Sequence, residues 1–176
     1  MKSNLFALLV AILLGSSAFT TYQSVAWQIA EGYAIKFESK NPRGIFNELK
    51  GDIVFDENNL AASKFDMEVA VGSISTGNGV KNKHARSDKW FDAEKFPLIR
   101  FSSSEIRKTT EAYEVTGTLE IRDVKKEITF PFTFEDQTFR GGFMINRLDY
   151  GIGTVKGMAK KAATDLQVDI MVPVSQ

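Results

Sequence analysis

Few side chains in this sequence have the types and spacing that catalysis needs. His84 is the single histidine, and Ser87 follows it three residues later, within reach on one helical turn. A Ser–His–acid triad would have to use this histidine, yet no Gly-x-Ser-x-Gly turn is present to expose a serine nucleophile. The single histidine excludes sites that need two imidazoles, and the absence of cysteine excludes thiolate ligands. Together they exclude the common zinc enzymes. We interpret the pair as neighbours without a joint catalytic role.

Other reactive patterns are equally weak. The paired carboxylates Asp66 and Glu68 lie on the polar side of an alternating run, where charges keep a sheet soluble, so glycosidase chemistry is disfavoured. The turn at Gly77 to Gly79 lacks the Lys-Ser/Thr that follows in a phosphate-binding loop. The sequence therefore predicts no enzyme activity, no metal site and no cofactor.

The charge balance and the N-terminal segment indicate which partners and which cell compartment to expect. Lysine and arginine number 22, as do aspartate and glutamate, and this balance predicts no basic field for nucleic acid or an anionic membrane. Lys2, the apolar run from Leu5 to Leu14 and the small residues up to Ala18 are typical of a signal peptide. The run is too short for a stable membrane span, which needs about 20 residues. We expect cleavage near Ala18, a periplasmic or secreted protein, and one domain over 19–176.

The remaining chain alternates between apolar and polar residues with a period of two, which predicts half-buried antiparallel strands. The clearest runs are Tyr113 to Arg122, Ile128 to Glu135, Phe65 to Val71 and Leu166 to Val172, with shorter matches at Ile35, Ile53, Ile99 and Phe143. Pro131 cannot donate to a ladder, so it predicts an edge position or a bulge. About eight strands with no βαβ pattern indicate an all-β fold, a sandwich or a barrel.

Turns and two irregular intervals separate these runs. Turn chemistry is concentrated at 41–44, 56–59, 77–79, 122–123 and at Gly141-Gly142. The charged interval from Lys81 to Phe91 predicts a short helix that caps or lines the mouth of a barrel. The stretch from Val155 to Thr164 is rich in Gly, Ala and Lys and is either a loop or a weak helix.

Phenylalanine dominates the predicted inward face, with 14 Phe in the chain against two Trp and four Tyr. An eight-stranded barrel is just wide enough to be filled by side chains or to hold one small ligand. Both a packed core and a ligand cavity fit this pattern. The cavity gains support because no long amphipathic helix is available to plug the interior. The predicted inward phenylalanines are Phe37, Phe55, Phe65, Phe101, Phe130, Phe132, Phe134 and Phe143.

Several ordered motifs resemble the YceI-like family of bacterial exported proteins. The central ones are Gly72-Ser73-Ile74-Ser75-Thr76-Gly77, His84-Ala85-Arg86-Ser87, Trp90-Phe91-Asp92 and Phe96-Pro97-Leu98-Ile99-Arg100-Phe101. The flanking ones include Arg43-Gly44-Ile45-Phe46, Gly51 to Asp56, Tyr113 to Leu119 and Asn146-Arg147-Leu148-Asp149-Tyr150-Gly151. Together they span roughly Trp27 to Val172. The chain departs from the family pattern at Ala85, at Trp90 and in the Lys- and Ala-rich stretch 156–164.

The resemblance implies an antiparallel, lipocalin-like β-barrel of about eight strands with a short helix near its mouth. It implies a non-catalytic binding or carrier protein for a polyisoprenoid or another long-chain amphiphilic lipid, such as a quinone or a fatty amide. The segment 82–91 would edge the pocket through Asn82, His84, Arg86, Ser87, Trp90 and Phe91. The strand residues lining it would be Phe37, Met67, Val69, Phe101, Leu119, Phe130 and Phe132.

Two other functions remain open at this stage. One is a ligand-free structural or protein-interaction barrel of the cell envelope. The other is an enzyme acting on the same amphiphile with His84 or Tyr150 as acid-base group. The sequence also leaves a homodimer open.

Overall fold

The chain forms an antiparallel β-barrel, seen in a computed structural model that describes residues 25–176, with the side chain of Met158 left aside. Eleven strands and one α-helix follow each other along these described residues. The strands are β1 Ala26–Ile29, β2 Ala34–Glu38, β3 Gly44–Phe46, β4 Leu49–Val54, β5 Lys64–Ala70, β6 Ile74–Ser75, β7 Leu98–Lys108, β8 Tyr113–Ile121, β9 Val124–Glu135, β10 Thr138–Asn146 and β11 Asp165–Ser175. The helix α1 is Gly79–Arg86, and short 3-10 turns cover Leu60–Ala62, Val71–Ser73, Arg147–Tyr150 and Gly157–Lys161.

The sheet closes on itself because β1 pairs with both β4 and β11. The ladder runs β1–β4–β5–β7–β8–β9–β10–β11 and returns to β1, which makes eight strands around the barrel. At one end β11 pairs with β2 instead of β1, β2 pairs with β3, and β3 pairs with β6. These three short strands extend the wall towards that end. The predicted all-β barrel of about eight strands is confirmed.

The period-two pattern predicts strand positions well. In β8, Tyr113, Val115, Leu119 and Ile121 are buried, and every residue between them is more exposed apart from Gly117 on the same inward face. The prediction of a turn at Gly141-Gly142 is wrong, because both glycines lie inside β10. A Cβ at Gly141 would lie 3.0 Å from the Pro131 carbonyl oxygen, so this glycine permits close approach of two strands. The turn lies instead at Asp136 and Gln137, both of which have positive φ.

Pro131 marks the point where β9 and β10 separate. Two-residue turns at both ends of β9 direct the N–H groups of its odd-numbered residues towards β10. The β9–β10 ladder ends at the pair Phe132–Gly141, one residue from Pro131. Because proline has no N–H, it is tolerated where this side of β9 is unpaired. At Pro131 the strand β9 is therefore an edge on the side that faces β10, as predicted, although it still pairs with β8 on the other side.

The helix lies in the loops at one end of the barrel, the end where β10 finishes at Asn146 and β11 begins at Asp165. Helix α1 begins after Asn78, whose side chain accepts a hydrogen bond of 3.0 Å from the Lys81 N–H, and it ends at Arg86. The predicted helix from Lys81 to Phe91 therefore starts two residues late and ends five residues late. Ser87 leaves the helical conformation, and residues 87–91 continue as turns. The stretch from Val155 to Thr164 is a loop that includes the 3-10 turn Gly157–Lys161.

The opposite end of the barrel is closed by aromatic side chains. Phe55 is 1% exposed, and five aromatic rings lie within 6.1 Å of its own, centroid to centroid. The Trp27 indole N–H donates to the Phe55 carbonyl oxygen at 2.9 Å. The Tyr113 hydroxyl donates to the Glu57 carboxylate, which holds the 55–63 loop across this end. The rings around Phe55 are those of Phe65, Tyr113, Phe132, Phe134 and Phe139.

The predicted signal peptide, residues 1–18, lies outside the described residues. Within residues 25–176, no helix is both long and apolar enough to cross a bilayer.

Candidate functional site

A cavity of about 1020 Å³ occupies the other half of the barrel interior. Its walls are inward-facing apolar side chains from strands on all sides of the barrel, so a ligand there would be surrounded by hydrocarbon and aromatic rings. Its size lies at the upper end of ordinary ligand pockets, roughly 300–1,000 Å³. Wall residues include Phe37, Met67, Val69, Phe101, Leu119, Phe130, Phe143 and Val168.

The floor of the cavity is the inner surface of the aromatic cluster. Phe65, Phe132 and Phe139 line the cavity and also contact Phe55, which lies behind them. The other predicted inward phenylalanines divide into two sets. Phe55 and Phe134 pack only within the closed end, whereas Phe37, Phe101, Phe130 and Phe143 face the open space. Both predicted outcomes of the sequence pattern, a packed core and a cavity, occur in the same barrel.

The rim of the cavity consists of three segments that contain its mouth-lining residues: 39–43, 76–91 and 151–164. In the second segment, residues following α1 are folded back by backbone hydrogen bonds. The Phe91 N–H donates to the Ala85 carbonyl at 3.0 Å, and the Asp92 N–H to the Ser87 carbonyl at 2.8 Å. This turn places Trp90 and Phe91 on the cavity, with the Phe91 ring 5.9 Å from that of Phe46. Apolar rings therefore continue from the wall up to the rim.

Arg147 holds the third rim segment in place. It is 1% exposed, and its Nε donates to the Ala163 carbonyl at 2.8 Å while Nη1 donates to the Ile152 carbonyl at 2.7 Å. Nη2 donates to further carbonyls of the same segment, those of Thr154 and Ala162 at 3.2 Å each. Burial lowers the pKa of the Arg147 guanidinium, because desolvation disfavours its charged form. One side chain thus fixes both ends of the loop.

Trp90 joins the second and third rim segments through Arg147. The guanidinium carbon lies 5.1 Å from the centre of the Trp90 ring, within the range of a cation–π contact. A Cβ at Gly153 would lie 2.9 Å from both side chains, so glycine leaves room for them to meet. The rim is therefore one connected structure and not a set of independent loops.

Eleven of the thirteen predicted ligand-binding residues line this cavity. Asn82 and Arg86 do not. The Asn82 Oδ1 accepts hydrogen bonds from the Thr76 N–H at 2.8 Å and from its hydroxyl at 2.7 Å, which ties α1 to the preceding turn. Arg86 is exposed on the outer side of the same helix. The residues that line the cavity are Phe37, Met67, Val69, His84, Ser87, Trp90, Phe91, Phe101, Leu119, Phe130 and Phe132.

The two candidate acid-base residues have different surroundings. His84 is exposed at the mouth, and its imidazole makes no hydrogen bond to any described residue. Tyr150 is buried but does not line the cavity, and burial raises the pKa of its hydroxyl. The Ser87 hydroxyl donates to the His84 carbonyl at 2.7 Å, not to the imidazole. The structure brings none of these groups together as a catalytic pair.

Sequence reasoning missed Arg147 and the rim segment that it organises. A lone arginine at the end of a strand carries no signal of burial. Its neighbourhood, Asn146 to Gly151, was nevertheless one of the motifs shared with the YceI-like family. That motif was the available sign of a special role.

Comparison with known proteins supports the resemblance to the YceI-like family. The model of the YceI-like domain family matches residues 20–174. A Yersinia enterocolitica UPF0312 protein is 33% identical over 129 residues, which are 70% of this chain and 64% of that protein. The match thus spans less than two thirds of that relative. An Enterobacter UPF0312 protein is 28% identical over 94% of both chains.

Solved structures share the barrel. Burkholderia cenocepacia BcnA superposes with a TM-score of 0.77 at 26% identity, over 85% of this chain and 100% of that one. A Campylobacter jejuni YceI protein gives 0.66 at 24% identity, over 79% and 88%. A polyisoprenoid-binding domain from Saccharophagus degradans gives 0.62 at 15% identity, over 85% and 97%, which shows a common fold alone. With the family model covering nearly the whole described barrel, the chain belongs to the YceI-like domain family.

Proposed function

We propose that this protein is a non-catalytic carrier that encloses the hydrocarbon chain of a polyisoprenoid or another long-chain amphiphilic lipid. The cavity of about 1020 Å³ with apolar walls is the observation that carries the proposal. An interior filled by its own side chains would have favoured a ligand-free module. A Saccharophagus degradans domain of the same fold is described as polyisoprenoid-binding, which supports the same class of ligand.

The energetics of such binding are favourable. Each buried CH₂ contributes roughly 0.8 kcal/mol, so a chain of about eleven carbons gives a gross gain of about 9 kcal/mol. Lost ligand freedom and translational entropy offset part of this gain. Micromolar or tighter binding therefore needs only the tail. The polar head would lie at the rim, where it sets the direction of the ligand.

The surroundings of His84 and Tyr150 support a carrier and not an enzyme. General acid-base catalysis needs a titratable group within hydrogen-bond reach of the reacting atoms. Tyr150 does not line the cavity, and His84 has no described partner to orient it. We also propose that the protein acts in the periplasm or outside the cell, after cleavage near Ala18.

Lipid that co-purifies with three variants tests the proposal. Phe130→Asp places an unpaired carboxylate in the cavity, so we expect its organic extract to contain no lipid by mass spectrometry. Thr129→Asp is the matched control, because it adds the same charge at the adjacent, exposed position of β9. It should retain the lipid of the wild type. His84→Ala should retain most of it, since the tail supplies the binding energy.

Two results would contradict this account. One is loss of lipid from His84→Ala together with retention in Phe132→Ala, which would show that the head group dominates. The other is turnover of the extracted lipid by wild-type protein, which would identify an enzyme. Circular dichroism identifies any variant whose loss of lipid reflects unfolding.

A further inference from the structure

The rim concentrates positive charge although the whole chain is balanced. Its three segments, 39–43, 76–91 and 151–164, contain nine lysines and arginines and a single acidic residue, Asp88. The rest of the chain therefore carries an equal excess of acidic residues. The nearest acidic residues in sequence are Glu38, Asp92 and Asp165, each one residue outside a rim segment. The balanced composition predicted no basic field, but the fold gathers nine of the 22 basic residues at one end.

None of the nine rim cations is in an ion pair with another described residue. The ion pairs between described residues lie along the barrel wall and beside the β8–β9 hairpin: Lys64–Asp66, Arg100–Glu68, Arg107–Glu114, Lys125–Glu120 and Lys126–Asp149. Lys40, Arg43 and Lys81 surround one polar cleft next to the cavity mouth. Unpaired cations that converge in this way attract anions from outside the chain.

Exposed apolar side chains lie at the same end. Val80 is 67% exposed at the start of α1, and Val155 is 55% exposed in the third rim segment. The other large apolar residues that are exposed in the described chain, Ile45, Met144 and Leu148, also lie in the mouth half. An isolated exposed valine is ordinary, but aliphatic residues set among lysines around an apolar cavity indicate an interaction surface.

We propose that this rim docks the barrel, mouth first, on a bilayer surface that bears anionic head groups. Each lysine or arginine near such a surface strengthens binding about fivefold, and aliphatic side chains enter the boundary between head groups and acyl chains. A free anion would use the cations but leave Val80 and Val155 without a role. Docking in this orientation places the cavity opening on the bilayer, so that a long-chain amphiphile passes between them without crossing water.

Flotation with lipid vesicles tests the proposal on the intact protein. We expect binding to phosphatidylcholine vesicles that contain phosphatidylglycerol, little binding to phosphatidylcholine alone, and release at high ionic strength. Lys83→Glu combined with Lys160→Glu should weaken the partition by at least about thirtyfold, since two attractive charges are removed. Neither residue lines the cavity. The matched control is Lys50→Glu with Lys108→Glu, two exposed residues on the wall and at the closed end.

A further double variant and the lipid content separate this proposal from the carrier function. Val80→Ser with Val155→Ser should reduce the binding that persists at intermediate salt. The Lys83/Lys160 variant should keep its co-purified lipid, so loss of docking without loss of cargo supports the proposal. Equal binding to both vesicle types, or equal loss in the wall control, would overturn it. Binding of the rim to an acidic protein in the absence of vesicle binding would also overturn it.

Discussion

The closed and open halves of the barrel place the same residue type in different surroundings. At the closed end Phe55 is almost fully buried among five other rings. At the open end Phe101 is only half-buried, and its aromatic contact is Phe130 at 5.5 Å. The first residue contributes to folding through dense packing, whereas the second presents one face to empty space. The aromatic pattern that stabilises one half therefore leaves room for a guest in the other.

The largest difference should appear when one phenylalanine in each half is truncated. Phe55→Ala should reduce the free energy of unfolding by about 3–5 kcal/mol, because it removes a ring packed on every side. Phe101→Ala should cost about half of that or less in lipid-free protein, since fewer atoms surround this ring. Urea denaturation of both variants measures the two losses. Equal losses would show that the open half is packed as tightly as the closed half.

Arg147 gives the open end the fixed structure that aromatic packing gives the closed end. Arg147→Met should cost about 2–3 kcal/mol, because carbonyls of residues 151–164 lose a charged donor. The effect should be local, with faster amide hydrogen exchange in this segment and unchanged exchange around Phe55. Arg147→Lys is the control, since it keeps the charge but not the planar fork. If the lysine variant matched the wild type, charge alone would explain the rim.

Adding volume to each half should give opposite results. Val174 is buried outside the cavity, so Val174→Phe overpacks the closed half and should cost about 1–3 kcal/mol. Val69 lines the cavity, so Val69→Phe should leave stability nearly unchanged while reducing the amount or chain length of bound lipid. Thermal melts and mass spectrometry of the extract measure the two effects. A large loss of stability in Val69→Phe would indicate that the space at Val69 is already filled.

The smallest effect concerns Tyr113 at the closed end. Burial, reinforced by the Glu57 carboxylate, raises its pKa from 10.0 to about 12. The neutral phenol is thus favoured in the folded protein, and its contribution to stability is complete below pH 10 and lost as the pH rises towards 12. The stability of Tyr113→Phe should consequently fall less steeply than that of the wild type over this interval. Parallel curves from equilibrium unfolding would contradict the assignment.

The sequence predicts the wall of the barrel better than its ends. Period-two alternation identifies β8 almost to the residue, because each strand is buried on one face only. It does not reveal the Asp136–Gln137 turn, which lacks glycine, and the glycine pair wrongly suggests a turn at Gly141-Gly142. It also places Phe55 and Phe101 on the same inward face without showing which is packed. That distinction arises because the loop after β4 crosses one end of the barrel. Such contacts join residues that are far apart in sequence, so the alternation of apolar and polar residues does not predict them.

The candidate site follows the same division. The wall residues Met67, Val69 and Phe130 were predicted and line the cavity. In the helical segment, period-two alternation does not indicate which side chains face the cavity. Asn82 bonds to Thr76 and Arg86 is exposed, so neither lines the cavity. Arg147 escaped notice because its burial depends on carbonyls contributed by residues up to 16 positions away. Residues whose role depends on a distant partner are those that the sequence alone did not identify.

Native mass spectrometry of the protein purified without detergent or refolding tests the carrier assignment most directly. We expect the folded polypeptide to carry an additional mass that organic solvent releases as a long-chain amphiphile. Detection of the polypeptide at its unliganded mass, with no added mass after incubation with a total lipid extract, would contradict the claim that the cavity holds lipid.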